Sequence, residues 1–288
     1  MALEEAFAFY DALAPMFDVM TDWEARLASE GPFLREMLRE SGAARVLDAA
    51  CGSGGHALAL ARWGYDVAGA DASPVMIALA QAKAAEVGLA VPFVASDLAR
   101  LADLKPRSSA LQRTEESAPS LPGEGLGERF DAVLCLGNSL PHLLTQADLV
   151  SALRGMAGVL RPGGLFVTQN LNYDLRWVRQ PRFFAAQGGV LDGREVLVWR
   201  FADYDLAAGR IAFHIALFRK VEGDAGARDW AVQVHTTPQR PLFHAGLISA
   251  LAEAGFAEVR AYGRMALPLE PFDPERSGDL VVVARAGS

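Results

Sequence analysis

Residues 46–61 read VLDAACGSGGHALALA, an apolar run that ends on Asp48, turns through Gly52, Gly54 and Gly55, and resumes with helical spacing. Strand, glycine turn and helix in this order make a ligand-binding arrangement, because helix N-terminal amides and close backbone approach favour an anionic or polar group. The rest of the chain repeats the strand–helix alternation. Strands are expected at 45–49, 66–70, 91–95, 130–136 and 165–169, with helices at 55–62, 74–87 and 149–160 between them. Ser73 as N-cap and Pro74 in the first turn mark the start of the second of these helices. The unbroken apolar run FDAVLCL reads as a central strand buried on both faces. Such alternation specifies a parallel sheet with crossover helices. The ending differs: after a helix at 244–254, strands at 257–262 and 279–285 have no helix-like segment between them. They are expected to pair antiparallel and close the edge of the sheet.

Two stretches break the alternation. Between Ala102 and Arg129 there is no Val, Ile or aromatic residue, only segments such as SSALQRTEESAPSLPGEGLGER. A segment of that kind buries too little area to offset its ordering entropy, so residues 102–129 read as a flexible surface insertion. The second stretch, 173–236, is rich in aromatics and β-alternation (EVLVWRFADYDL, GRIAFHIALFRK, DWAVQVHT). It reads as an antiparallel β subdomain inserted after the fifth strand, placed as a substrate lid. The core of the chain is then 45–172 with 237–288, preceded by an N-terminal helical cap over 1–44.

Composition narrows the partners. With 51% hydrophobic and 22% charged residues over 288 positions, the chain can bury a full core. A net charge of −8 disfavours nucleic acid, whose phosphates select a basic face. Cys51 and Cys135 offer neither a disulfide framework nor metal-ligand spacing, so no metal is expected. The N-terminal stretch lacks the basic region of a signal peptide, and nothing is long and apolar enough to span a membrane, so the expected location is cytoplasmic.

Gly52-Ser53-Gly54-Gly55-His56-Ala57 satisfies the loose dinucleotide pattern G-x-G-x-x-G/A. Asp48 argues against a dinucleotide. A carboxylate immediately before the loop would repel a pyrophosphate in a poorly solvated crevice. It suits a ligand with positive groups near the loop, and S-adenosylmethionine carries an ammonium and a sulfonium against one carboxylate. Asp71, ending the second strand in GADAS, is placed to accept both ribose hydroxyls, a role that serves either cofactor. Asp97, after the third strand in ASDLA, can accept the adenine amino group. Three aspartates at the ends of successive strands beside a glycine loop are hard to explain by structure alone.

These residues resemble a class I S-adenosylmethionine-dependent methyltransferase. VLDAACGSGG is similar to the family's first motif, VAGADAS to its second acidic strand, and LRPGGLFV to the strand after the RPGG turn. The resemblance implies an α/β, Rossmann-like fold with a seven-stranded sheet whose last strand inserts antiparallel. A narrower resemblance, to the glycine N-methyltransferase and glycine/sarcosine methyltransferase group, rests on LCLGNSLPHL, on NYD at 172–174, and on FYDALAPMFD followed by Trp23. It implies that Leu136 and Gly137 line the adenosine site, that Asn138 lies beside the reacting methyl, and that His142 contacts the methionine portion. Tyr10 would reach over the site from the N-terminal segment. The cofactor-binding set is completed by Trp23, by Ala50, Cys51, Gly52 and Gly54 of the loop, and by Ala72, Met76 and Leu98 beside the aspartates. Met76 also fits plain core packing. In that group an arginine before the asparagine of NYD clamps the substrate carboxylate in two-pronged fashion. Here the position is Leu171, so glycine is doubtful as substrate unless Arg176, Arg179 or Arg200 substitutes.

The expected reaction is an in-line methyl transfer to a nitrogen of a small molecule, leaving S-adenosylhomocysteine. Alignment and water exclusion can supply on the order of 7–11 kcal/mol of the barrier. Asn138, His142 and Tyr173 are the catalytic candidates, although each also has a structural reading: strand end, helix start and lid core. A nicotinamide-dependent oxidoreductase and a non-catalytic S-adenosylmethionine-binding protein are the alternatives.

Overall fold

The computed structural model describes residues 9–103, 129–222 and 228–287. The low-complexity insertion at 102–129 falls almost wholly outside these residues. After a helical turn over 9–13 comes α1 (Trp23–Ser41), then β1 (Arg45–Ala49), α2 (Gly55–Arg62), β2 (Asp66–Asp71), α3 (Pro74–Glu86) and β3 (Phe93–Ala95). A 3-10 turn over Leu98–Asp103 follows, then β4 (Phe130–Cys135), a second 3-10 turn over Leu140–His142, α4 (Gln146–Val159) and β5 (Leu160–Leu171). The next elements are α5 (Tyr173–Arg179), β6 (Gln187–Leu191), β7 (Arg194–Asp205), β8 (Arg210–Glu222) and β9 (Arg228–Gln239). The described part closes with α6 (His244–Glu253), β10 (Phe256–Tyr262) and β11 (Asp279–Ala286).

The main sheet has seven strands in the order β10-β11-β5-β4-β1-β2-β3. β1 pairs parallel with both β2 and β4, so the strand order reverses at β1 and leaves a crevice beyond its carboxyl end. β11 lies antiparallel between β5 and β10, as the sequence anticipates. Side chains alternate between two cores. Val46, Leu134, Val167 and Val281 pack with Phe33 and Leu38 of α1 on one face, while Leu47, Val133, Phe166 and Val282 pack with α4 and α6 on the other. Asp48 shares the parity of Val46 and points to the α1 side, the one carboxylate in a strand otherwise made for burial.

Three local details depart from the sequence expectation. RPGG does not precede the fifth strand but lies within it: Gly163 adopts φ +69° and the pairing with β4 shifts between Phe130 and Ala132. α4 starts at Gln146 rather than 149, because the Thr145 side chain accepts from the Asp148 amide as N-cap. The stretch from Tyr173 opens as a helix, capped by Asn172 accepting from Leu175 N, before its four strands begin. Those strands form a separate antiparallel sheet, β6-β7-β8-β9. Phe9, Leu13, Met16 and Met20 pack on Val196, Val198, Ile215 and Leu217 of this second sheet, so the N-terminal segment is tied to it.

α4 approaches the Leu98–Asp103 turn so closely that a Cβ on Gly155 would stand 2.2 Å from the Leu98 carbonyl oxygen. Backbone cannot swing aside as a side-chain tip can. Gly155→Ala is therefore expected to cost about 1–3 kcal/mol of stability, read as a lower urea midpoint at unchanged m-value.

Candidate active site

The glycine turn is held open by a carboxylate from the neighbouring strand. Asp71 Oδ2 accepts from Gly52 N at 2.8 Å and Oδ1 accepts from Ser73 N at 2.9 Å, so one side chain fixes the turns after both β1 and β2. Gly54 must be glycine: its φ is +82° and a Cβ would sit 3.0 Å from Ala80 Cβ and 3.1 Å from the Phe93 ring. Ser73 caps α3 by accepting from Met76 N at 3.0 Å, and donates its own proton to Asp11. Asp97 Oδ1 accepts from Ala99 N at 2.7 Å and so starts the 3-10 turn.

Around this turn opens a cavity lined from several elements. Its walls come from the N-terminal segment (Tyr10, Phe17), α1 (Trp23, Arg26), the loop (Ala50, Cys51, Gly52) and His56 of α2. Asp71, Ala72, Ser73 and Met76 follow, with Asp97 and Leu98, and then Leu136, Gly137, Ser139, His142 and Leu143 after β4. Thirteen of the sixteen cofactor-binding residues expected from the sequence thus meet on one surface; Asp48, Gly54 and Asn138 do not line it. Sequence reasoning missed Phe17, Arg26, His56, Ser73, Ser139 and Leu143. Only Ser73 carried a usable signal, as the N-cap beside Asp71.

Asp48 sits behind the loop, 1% exposed. It takes a backbone hydrogen bond from Ala57, yet its Oδ2 is buried with no partner. Burial pushes its pKa up to about 6, against the opposing pull of His56. An orphaned buried carboxylate oxygen is costly, and positive charge placed nearby would relieve it. Beside it, Glu30 Oε2 meets His56 Nε2 at 2.7 Å and Glu30 Oε1 accepts from Arg26 Nε at 3.0 Å. Those two partners hold the Glu30 carboxyl below the usual range despite its desolvation. Arg26 also lies over the Trp23 ring and near Gly137. Asp18 clamps this end. It accepts from Trp23 Nε1 at 2.9 Å and Ser53 Oγ at 2.8 Å, and pairs with Lys83.

At the other end a chain of side chains closes the wall. Tyr10 Oη meets His142 Nε2 at 2.8 Å, and Thr237 Oγ1 lies 3.4 Å from His142 Nδ1. Gln239 Nε2 is 3.3 Å from His142 Nε2, and Gln239 Oε1 accepts from Tyr173 Oη at 3.1 Å. Asn138 Nδ2 donates to Tyr173 Oη at 3.0 Å, while Asn138 Oδ1 accepts from Leu171 N at 3.0 Å. A neutral His142 with the proton on Nδ1 fits these contacts: Nδ1–H donates to Thr237, and the single Nε2 lone pair accepts from Tyr10 at 2.8 Å, with the Gln239 amide a longer contact. Burial favours that neutral state, lowering the His142 pKa to about 4, and it pushes the Tyr10 and Tyr173 phenols above their ordinary range. Asn138, His142 and Tyr173 are thus brought together, through Gln239, as one buried network. No group of three or more metal-ligating side chains occurs among the described residues, and no described helix is long and apolar enough to cross a membrane.

Comparison with known proteins agrees with this geometry. Residues 47–168 match the family described as "Methyltransferase domain". The chain is 28% identical over 247 residues to the glycine/sarcosine N-methyltransferase of Parasynechococcus marenigrum (strain WH8102), covering 86% of this chain and 75% of that one. It is 34% identical over 167 residues to the glycine/sarcosine N-methyltransferase of Aphanothece halophytica, covering 58% of this chain and 55% of the relative, about half of that protein's length. The fold is similar to the sugar N-methyltransferase KedS8 from Streptoalloteichus, with a TM-score of 0.64, 25% identity, and coverage of 91% and 88% of the two chains. Sheet order, glycine loop, aspartate-lined cavity and these similarities lead to one conclusion: residues 47–168 match a methyltransferase domain, and the chain is an S-adenosylmethionine-dependent methyltransferase.

Proposed function

We propose that this enzyme methylates an amine nitrogen on a small molecule that has no carboxylate beside that nitrogen. The observation that carries the choice of nitrogen is the closed network at the transfer end. His142 is held neutral with a low pKa and its Nε2 lone pair is taken by Tyr10, and Tyr173 is committed to Gln239, so neither is free to take a proton from a hydroxyl. Oxygen acceptors call for a base in the transition state, whereas a neutral amine brings its own lone pair. The names of the relatives, N-methyltransferases all, support the same choice. Leu171 supplies the second half of the reading, since an alkyl side chain offers nothing to a carboxylate where the glycine-methylating group is expected to carry arginine.

The donor supplies a methyl group already activated on a sulfonium. The protein's residues hold and screen. Asp71, whose oxygens each keep a lone-pair direction beyond their backbone amides, accepts from the ribose hydroxyls, and Asp97 lies where the adenine amino group ends. Arg26, on the cavity wall beside Gly137, faces the donor's carboxylate. Asp48 acts from one layer behind the loop, giving the donor's cationic end a negative field in a poorly solvated place. Tyr10, Phe17 and Trp23 exclude water from above. This is catalysis by positioning, with the charge complementarity built in beforehand.

Four measurements follow from this arrangement. Asp71→Ala is expected to weaken S-adenosylmethionine binding at least tenfold by calorimetry. For Asp48 the sign is set by its raised pKa. The folded protein holds the proton more tightly than the unfolded chain, so the stabilising share is greatest below about pH 4 and is lost as pH rises to about 6. Asp48→Asn without donor should therefore be more stable than the parent at pH 7, on the order of 1–3 kcal/mol. The same variant should lose the rise in donor affinity that the parent shows between pH 5 and 7. In a screen with tritiated donor, simple amines and amino sugars should accept methyl and glycine should not. Transfer to glycine at a comparable rate would refute the argument from Leu171.

A further inference from the structure

Leu171 has a partner across the sheet. In the β5–β11 register it stands directly opposite Asp279, and paired residues of an antiparallel ladder share a face. Gln169, two positions earlier on that face, joins Asp279 to the cavity wall: its Oε1 accepts from Gly137 N at 3.0 Å, and its side chain hydrogen-bonds the Asp279 carboxylate. Gly137 lines the cavity, and the next residue, Asn138, binds the Leu171 amide. Asp279 does not itself line the cavity; half-buried, it stands opposite Leu171 and is tied through Gln169 to Gly137 on the cavity wall. The charges that act on it from the packed elements are Glu30 and Arg26 of α1 and Arg176 of α5. Arg26 is already paired with Glu30, and Arg176 lies over the Phe184 ring.

We infer that Asp279 recognises the acceptor, holding the amino group of a carboxylate-free amine beside Leu171 and repelling amino acids. This rests on the reading that the enzyme methylates amines. An arginine at 171 and a carboxylate at 279 have opposite preferences. The first would draw in the carboxylate of glycine, whereas the carboxylate present here accepts from the N–H of a neutral amine, faces the positive charge that the nitrogen gains as the methyl arrives, and leaves a substrate carboxylate unpaired against a like charge. Specificity arises from the repulsive element as much as from the attractive one. Burial has already pushed the Asp279 pKa up to about 6, with Glu30 adding to the shift, so the positive charge that forms on the methylated nitrogen recovers a cost the free protein carries.

The test compares the parent with Asp279→Asn, using ethanolamine, 2-amino-2-deoxyglucose and histamine as carboxylate-free amines and glycine and sarcosine as amino acids. The expected result is transfer to at least one of the first three, with KM raised at least tenfold by the variant and the dissociation constant of S-adenosylmethionine changed less than twofold. The melting temperature of the ligand-free variant is expected to be equal or higher, since a carboxylate kept for a ligand is not kept for the fold. A melting temperature several degrees lower would make Asp279 a structural residue and overturn the inference. So would an unchanged KM, or transfer to glycine or sarcosine alone. Failure to methylate any amine while S-adenosylmethionine still binds would overturn the amine reading itself, and this inference with it.

Discussion

The carboxylate of Asp71 binds the amide of Gly52 and the amide of Ser73, and the pocket depends on that tie. β1 and β2 lie side by side at the reversal of strand order, and each must turn outward without the two loops collapsing into the crevice. A side chain that accepts from both loops sets their separation. Asp71 also lines the cavity, so the group that builds the turn is one that the cavity presents. Its burial raises its pKa, and that cost is offset by the two backbone donors.

A second constraint joins the two sheets. Tyr10, Asn138 with His142, Tyr173 and Gln239 come from four separate stretches of chain, and their hydrogen bonds converge on His142 in one seam. A buried polar network of this kind is stabilising only when complete. Here each link has a donor facing an acceptor, which fixes the second sheet against the donor pocket in one arrangement. Asn138, His142 and Tyr173, the catalytic candidates of the sequence, are each tied to their neighbours in this seam.

What the sequence disclosed and what it hid divide along a physical line. The strand–loop–helix of 45–62, the aspartates at 48, 71 and 97, and the antiparallel ending are local patterns, and local patterns carry their own signals in periodicity, glycine spacing and capping. Arg26, His56 and Asp18 gave no such sign. Their significance comes from which face of α1 and α2 turns to the crevice and from an N-terminal segment anchored on a sheet 180 residues away in sequence. The helical opening at Tyr173 was masked by the aromatic alternation that follows it, and the RPGG bulge by its likeness to a turn. Asp279 was read only as the start of a strand, because register is a property of two segments and not of one.

The placement of β11 has a consequence for how such a molecule is made. β11 is the last strand of the sheet in chain order but lies inside it, with β5 on one side and β10 on the other. β1 to β5 can assemble through crossovers as each is synthesised, leaving the outer edge of β5 open. β10 finds no place in the sheet until β11 has arrived, since it touches the sheet only through β11. An emerging chain therefore carries an unpaired, strongly apolar edge for most of its synthesis, the condition under which strands add to the wrong neighbour. Docking of β11 is the step that caps the edge, and it is also the step that brings Asp279 opposite Leu171. The burden of avoiding misassembly and the completion of the acceptor site are thus discharged by the same eight residues.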